Sequence, residues 1–133
     1  EFAHRYLPIV DPRFVQVAKV GEEIVGFILG LPNFTPGIQK AKGKLFPFGI
    51  LHILRSMRKT KQLDLMLGAV EKSYRGRGVE IALAIRLLAA CKKAQYDTIE
   101  IHLVLESNTQ MLGELKRAGC QYHKRFRVFG KDL

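Results

Sequence analysis

The chain has 133 residues, with 22 Lys and Arg against 12 Asp and Glu, a formal charge of +10 at pH 7. That length gives one domain with a real core, and the charge suits a polyanionic partner: a phosphate-rich cofactor, nucleic acid or an anionic membrane surface. Arg86 interrupts the longest apolar run, so no bilayer span is expected, and no exposed aromatics alternate with Lys and Arg in the manner that stacks bases, which argues against nucleic acid.

Residues 1–13, with Pro8 and Pro12, read as an irregular lead-in. No signal peptide is visible, and a start at Glu1 is expected of a fragment or a processed product. Residues 14–20 predict a strand, Gly21-Glu22-Glu23 a tight turn and residues 24–29 a second strand, together a hairpin. Pro32, Pro36, Gly37, Gly43 and Pro47 then break the chain repeatedly. Within that stretch, residues 49–58 predict a short amphipathic helix. Ile50, Ile53, Leu54 and Met57 fall on one side, Arg55, Arg58 and Lys59 near the other. An extra packing helix is the favoured reading of residues 31–62, ahead of a substrate-shaping lid and of membrane-surface contact.

The chain is organised around residues 63–94. An apolar run, 65–70, predicts a strand. Tyr74-Arg75-Gly76-Arg77-Gly78 predicts a basic glycine turn. Apolar residues at 81, 84, 85 and 88 predict a helix buried on more than one side. The start of a helix presents unpartnered N–H groups and partial positive charge, and two glycines let neighbouring N–H groups converge. With Arg75 and Arg77 beside them, the natural occupant is a phosphate or pyrophosphate; the plain alternative is a solvated basic turn. A dinucleotide fingerprint fails because Ile81 stands at the third glycine. A P-loop at 37–45 fails on spacing, and Leu45 replaces the needed hydroxyl.

Arg75, Gly78 and position 80 fit Arg-x-x-Gly-x-(Gly/Ala), with Glu80 in the last place. Downstream, a strand at 97–105 leads to Asn108, Met111 and Gly119-Cys120. In both parts, over about residues 63–120, the chain resembles the GCN5-related N-acetyltransferases. The resemblance implies an α/β fold with a mixed, largely antiparallel sheet flanked by helices and splayed where the acyl chain enters. It implies a single domain over residues 1–133, with 31–62 inserted and the first strand and first two helices preceding Glu1. It implies acetyl-coenzyme A or another acyl-coenzyme A as cosubstrate. The coenzyme would be held by Arg75, Gly76, Arg77, Gly78, Val79, Glu80 and Asn108, and the thioester carbonyl polarised from Gly68, Ala69 or Val70. The sequence departs from the family's usual text at Glu80, Met111, Leu115 and Cys120, Leu115 replacing a Tyr proposed to protonate the thiolate. Glu80 is expected to point away from the phosphates.

Acyl transfer to an amine needs a base and oxyanion donors. On the strand 97–105, Ile99, Ile101, Leu103 and Leu105 face one way; Glu100, His102, Val104 and Glu106 face the other. Glu100, His102 and Glu106 are the candidate bases, each with an ordinary solvated or paired side chain as its plain alternative. A helix is predicted over 108–118, stopped by Gly119, and a closing strand over 121–129. His4, His52, His102 and His123 lack zinc spacing, so no metal is expected. Cys91 and Cys120 read as two reduced, buried thiols of a cytoplasmic protein.

The expected function is acyl-coenzyme A-dependent N-acyl transfer to an amine. The alternatives are a catalytically silent acyl-coenzyme A-binding module and a basic nucleic-acid-binding domain. A homodimer is left open, and the acceptor amine is not legible.

Overall fold

The structure, a computed structural model, describes residues 10–42, 44, 46 and 48–131. Expectations that fall on residues 1–9, Gly43 and Pro47 therefore lie outside the described residues. The chain divides into two compact units, residues 1–102 and 103–133.

The first unit holds a four-stranded sheet in the order β1-β2-β3-β4. Strand β1 is Val15–Val20 and β2 is Glu23–Pro32, antiparallel in a register that pairs Val15 with Leu29 and Val20 with Glu23. Strand β3, Gln62–Val70, runs antiparallel to β2, with Phe27 opposite Ala69. Strand β4, Thr98–Ile101, runs parallel to β3, from Gln62 opposite Thr98 to Leu65 opposite Ile101. A parallel neighbour requires a crossover. The helix Val79–Lys93 lies between the two strands in the chain and supplies it.

That helix buries Leu83, Leu87 and Cys91, spaced four residues apart on one face. With Phe14 and Leu63 they form the core, and Ile28, Leu65, Tyr96 and Ile99 pack around it. The Phe14 and Tyr96 rings meet edge to face at 5.1 Å. The second apolar stripe, Ile81, Ile85 and Leu88, is exposed. Burial on more than one side was expected of this helix; in this chain one stripe alone is covered.

Residues 31–62 contain two helices rather than one. Helix α1 is Thr35–Ala41 and α2 is Gly49–Lys59, the latter as the hydrophobic pattern predicts. Pro36 and Gly37, which read as breakers, both have places in α1. Pro36 lies in the first turn, where a missing N–H costs nothing, and Asn33 Oδ1 accepts the Thr35 N–H at 2.9 Å. Gly37 is where α2 crosses: a Cβ there would lie 2.6 Å from the Ile53 Cα. Helix α3 is Val79–Lys93 in this numbering.

Asp11 caps a 3₁₀ turn, Pro12–Phe14, in the first unit. Its carboxylate accepts the Arg13 backbone N–H at 3.0 Å and Arg13 Nη2 at 2.6 Å. The hydrogen bonds from the Arg13 side chain hold the Asp11 carboxyl below its ordinary value. A depressed carboxyl stabilises the fold above the ordinary carboxylate range and loses that contribution as pH falls through its folded value. Asp11→Ala is therefore expected to lower the unfolding free energy by about 1 kcal/mol at neutral pH, the scale of a lost cap. In urea titrations against pH, that difference should shrink towards zero on acidification. A difference that persists unchanged in acid would show that the carboxylate charge plays no part.

The second unit contains helix α4, Thr109–Arg117. Asn108 Oδ1 accepts the Met111 N–H at 3.2 Å, and Gly119, at φ +77°, ends the helix. Two expected strands differ from the fold. The strand predicted over 97–105 stops at Ile101, and Leu103 has φ +25°, which a ladder does not accommodate. Residues 121–129 form no strand; their alternation marks two faces but supplies no partner. Within this unit Tyr122 donates its hydroxyl to the Leu112 carbonyl at 3.1 Å. Cys91 is buried, and burial pushes its thiol up, whereas Cys120 is exposed, against the expectation of two buried thiols.

Candidate active site

Strand β3 runs into a 3₁₀ turn, Lys72–Tyr74, then Arg75, the glycines and helix α3. Gly76 and Gly78 have φ +69° and +85°, the left-handed region that costs glycine least. A Cβ at either would meet nothing within 4 Å, so conformation and not space selects glycine. Gly78 is the N-cap of α3 and brings no capping side chain. The Arg75 Nε–H donates to the Val70 carbonyl at 2.9 Å, tying the turn to the end of β3. The Arg77 guanidinium lies 5.7 Å from the centre of the Tyr74 ring, so Tyr74 carries the arginine on its face.

Glu80 corrects an expectation. Its Oε1 accepts the Gly76 N–H at 3.2 Å, so the side chain returns to the turn instead of pointing away. Side chains in the first helical turn tilt towards the N-terminus, which brings residue i back to residue i−4. The carboxylate occupies one of the turn's N–H groups, the kind of group that would otherwise meet a phosphate.

Among the described residues, no strand is laddered to β3 beyond Leu65 on the β4 side, beside the turn. The Glu71 N–H donates to the Val25 carbonyl at 2.8 Å, so residue 71 faces β2. Backbone groups alternate sides along an antiparallel strand, which turns those of Val70 and Gly68 towards the other edge. Val70 meets Arg75 there. The ladder to β4 ends at Leu65 and Ile101, short of Gly68, Ala69 and Val70.

A polar cluster runs along the β3–β4 ladder and just past its end. Gln62 Nε2 donates to Asp64 Oδ1 and to Glu100 Oε2, each at 2.8 Å. His102 Nε2 lies 3.8 Å from Asp64 Oδ2, an ion-pair distance too long for a direct hydrogen bond. Asp64 is 4% exposed, whereas the His102 side chain is 43% exposed. The structure thus brings Glu100 and His102 together and adds Gln62 and Asp64, which sequence reasoning missed. Their signal was available: Gln62 and Asp64 alternate with Leu63 and Leu65 just ahead of the apolar run 65–70, and the strand begins with them. Glu106 lies exposed in the second unit, in a turn closed by the Asn108 N–H on the Leu105 carbonyl at 2.9 Å. Asn108 is engaged as the cap of α4.

A cleft of about 500 Å³ is lined by Arg13, Pro32, Met57, Arg58, Lys61 and Tyr96 among others, and by no residue of the glycine turn. Among the described residues, no group of three or more His, Cys, Asp or Glu is placed to hold a metal ion. Among the same residues, no helix is long and apolar enough to cross a membrane.

No protein-family model matches the chain. It is 29% identical over 133 residues to Protein YghO of Escherichia coli (strain K12). It is 30% identical over 132 residues to Bacterial ceramide synthase of Caulobacter vibrioides (strain NA1000 / CB15N). Each match takes in 94% of the chain and 34% of the relative, so the chain spans about a third of the length of the curated relatives it matches. Among solved structures it is similar to aminoglycoside N-acetyltransferase AAC(6')-Iy in complex with CoA, with a TM-score of 0.61 and 15% identity over 99% of this chain and 87% of that one. It is also similar to the ribosomal-protein-alanine N-acetyltransferase of Brucella melitensis biovar Abortus 2308, with a TM-score of 0.56 and 12% identity over 96% of this chain and 79% of that one. These likenesses show the fold: the mixed sheet flanked by helices of the GCN5-related N-acetyltransferase type, as the glycine turn led one to expect.

Proposed function

We propose that the chain carries the acyl-coenzyme A site of an N-acyltransferase. The observation that supports this most is the unladdered edge of β3 at Gly68 and Val70, joined directly to the glycine turn through the Arg75–Val70 bond. The residues fit the cosubstrate: a glycine turn, two arginines and a helix start for the pyrophosphate, and an unladdered strand edge for the thioester. The thioester supplies an activated acyl group. In this reading Gly76, Gly78, Val79, Arg75 and Arg77 bind the pyrophosphate. The N–H groups of Gly68 and Val70 hold the carbonyl oxygen as negative charge develops on it. His102 takes the proton from the attacking amine as the C–N bond forms, Asp64 orients the imidazole, and the C–S bond breaks to release coenzyme A as its thiolate. Glu100, tied to Gln62, is the less available base.

The acceptor class to try first follows from the relative named for ceramide synthesis: a long-chain amine whose nitrogen becomes an amide. Calorimetric titration with acetyl- and palmitoyl-coenzyme A, and thiol release in the presence of a sphingoid base, test the reading. Absence of binding to both thioesters would overturn it.

A second reading, a silent acyl-coenzyme A-binding module, draws on the Glu80 carboxylate at the Gly76 N–H and on Leu115. Glu80→Gln removes one negative charge from the turn while keeping a hydrogen-bond acceptor. About a tenfold gain in coenzyme A affinity is expected, from repulsion of order 1 kcal/mol between a carboxylate and a phosphate a few ångströms apart. No gain would show that the carboxylate leaves the turn without cost when coenzyme binds. A gain above about a hundredfold, unaccompanied by turnover, would favour the silent module.

A further inference from the structure

We propose that the α1–α2 hairpin is a docking surface for membranes containing anionic phospholipid. The proposal does not depend on the acyl-transfer reading. It rests on three features of residues 33–61.

The first is charge. The segment contains Lys40, Lys42, Lys44, Arg55, Arg58, Lys59 and Lys61, seven cations, and no Asp or Glu. These seven stand against a formal charge of +10 for the whole chain. The second is a basic cleft of about 280 Å³ along α1 and α2, lined by Lys40, His52, Arg55, Ser56 and Lys59 with Pro36. Its donors suit a phosphate with esterified oxygens. The third is uncovered apolar surface. Phe46 is 87% exposed, Phe48 66%, Leu51 61%, Ile50 52% and Leu54 40%.

Helix geometry sets these features side by side. Gly49, Ile53 and Ser56 lie along the side of α2 that meets α1 through Gly37. At 3.6 residues per turn, Met57, Ile50 and Leu54 follow around the helix, Arg58 and Leu51 come next, and Arg55, Lys59 and His52 complete the circle. An apolar arc flanked by a basic arc is the pattern of a helix lying in a membrane interface, its apolar side chains at the acyl boundary and its cations at the headgroups. Of the apolar side that the hydrophobic pattern predicts, Ile53 is used against α1, whereas Ile50 and Leu54 stay exposed and, with Leu51, are what needs an occupant.

Charge decides between occupants. A second copy docked face to face would set seven cations against seven, which repels. A nucleic acid would satisfy the cations but leave the aliphatic arc wet. An anionic bilayer satisfies both.

Flotation of the protein with vesicles tests this. Vesicles of phosphatidylcholine alone are compared with an equimolar mixture of phosphatidylcholine and phosphatidylglycerol. Binding to the mixed vesicles should be at least about tenfold tighter and should weaken with added salt. Two variants act on separate features: Lys40→Glu with Lys59→Glu on the cleft, and Phe46→Ser with Leu51→Ser on the exposed apolar arc. All four side chains lie on the surface, and unchanged thermal melts confirm that the fold is kept. Each variant should cut binding to mixed vesicles about tenfold or more. Equal affinity for neutral and mixed vesicles, no flotation with either, or wild-type binding by both variants overturns the proposal.

Discussion

Replacing His102 by Ala is expected to lower kcat by about 10²–10⁴, the usual contribution of a positioned general base, with the KM for acyl-coenzyme A nearly unchanged. The expectation follows from placement. His102 is the first residue past the last β3–β4 ladder pair, where β4 ends. Its ring is partly exposed, so an acceptor amine can reach it, while the buried Asp64 carboxylate lies 3.8 Å behind. Glu100 shares the cluster but accepts the Gln62 amide. Asp64→Asn should lower kcat less than His102→Ala does, because it removes the orienting charge and leaves the base in place. Added imidazole should restore part of the activity of His102→Ala and none of that lost in Asp64→Asn. A His102→Ala enzyme with wild-type turnover would return the role of base to Glu100 or Glu106.

The parts of the site that were legible in the sequence are those that depend on the backbone. Gly76 and Gly78 announce left-handed turns, and both have them. The 81–88 apolar pattern announces helix α3 but not its buried face, which is Leu83, Leu87 and Cys91 and not Ile81, Ile85 and Leu88. What escaped depends on side-chain reach and on partners. Glu80 was placed by helical periodicity, which gives the direction of a Cβ but ignores a long flexible side chain and the tilt towards the N-terminus. Asp64 stands just before the apolar run 65–70 and outside the predicted strand, although its alternation with Leu63 and Leu65 puts it on the other face of the strand. Helix α1 was hidden by Pro36 and Gly37, residues that break a helix in its middle but suit a first turn and a close crossing. Residues 121–129 alternate like a strand, yet a strand exists only where a neighbour offers its backbone.

Removing both turn arginines, Arg75→Ala with Arg77→Ala, is expected to weaken coenzyme A binding by about 2 kcal/mol at low salt, near thirtyfold, each charge contributing on the order of 1 kcal/mol. The two should differ in kind. Arg77 rests on the Tyr74 ring and is otherwise a surface charge, so its loss should act through electrostatics and fade as salt shortens the screening length below about 10 Å. Arg75 also bonds the Val70 carbonyl, on the strand edge proposed to face the thioester. Its loss should leave a residual effect at high salt, and kcat should fall with it because the edge is no longer held to the turn. Arg75→Lys separates the two contributions: it keeps a charge but cannot reproduce the directed Nε–H bond. Titrations of coenzyme A at low and high salt, paired with turnover, read both quantities. If Arg75→Lys restores kcat in full, the bond to Val70 does not position the edge, and the turn acts by charge alone. If the double variant binds as tightly as the unaltered chain at low salt, the pyrophosphate does not sit at this turn.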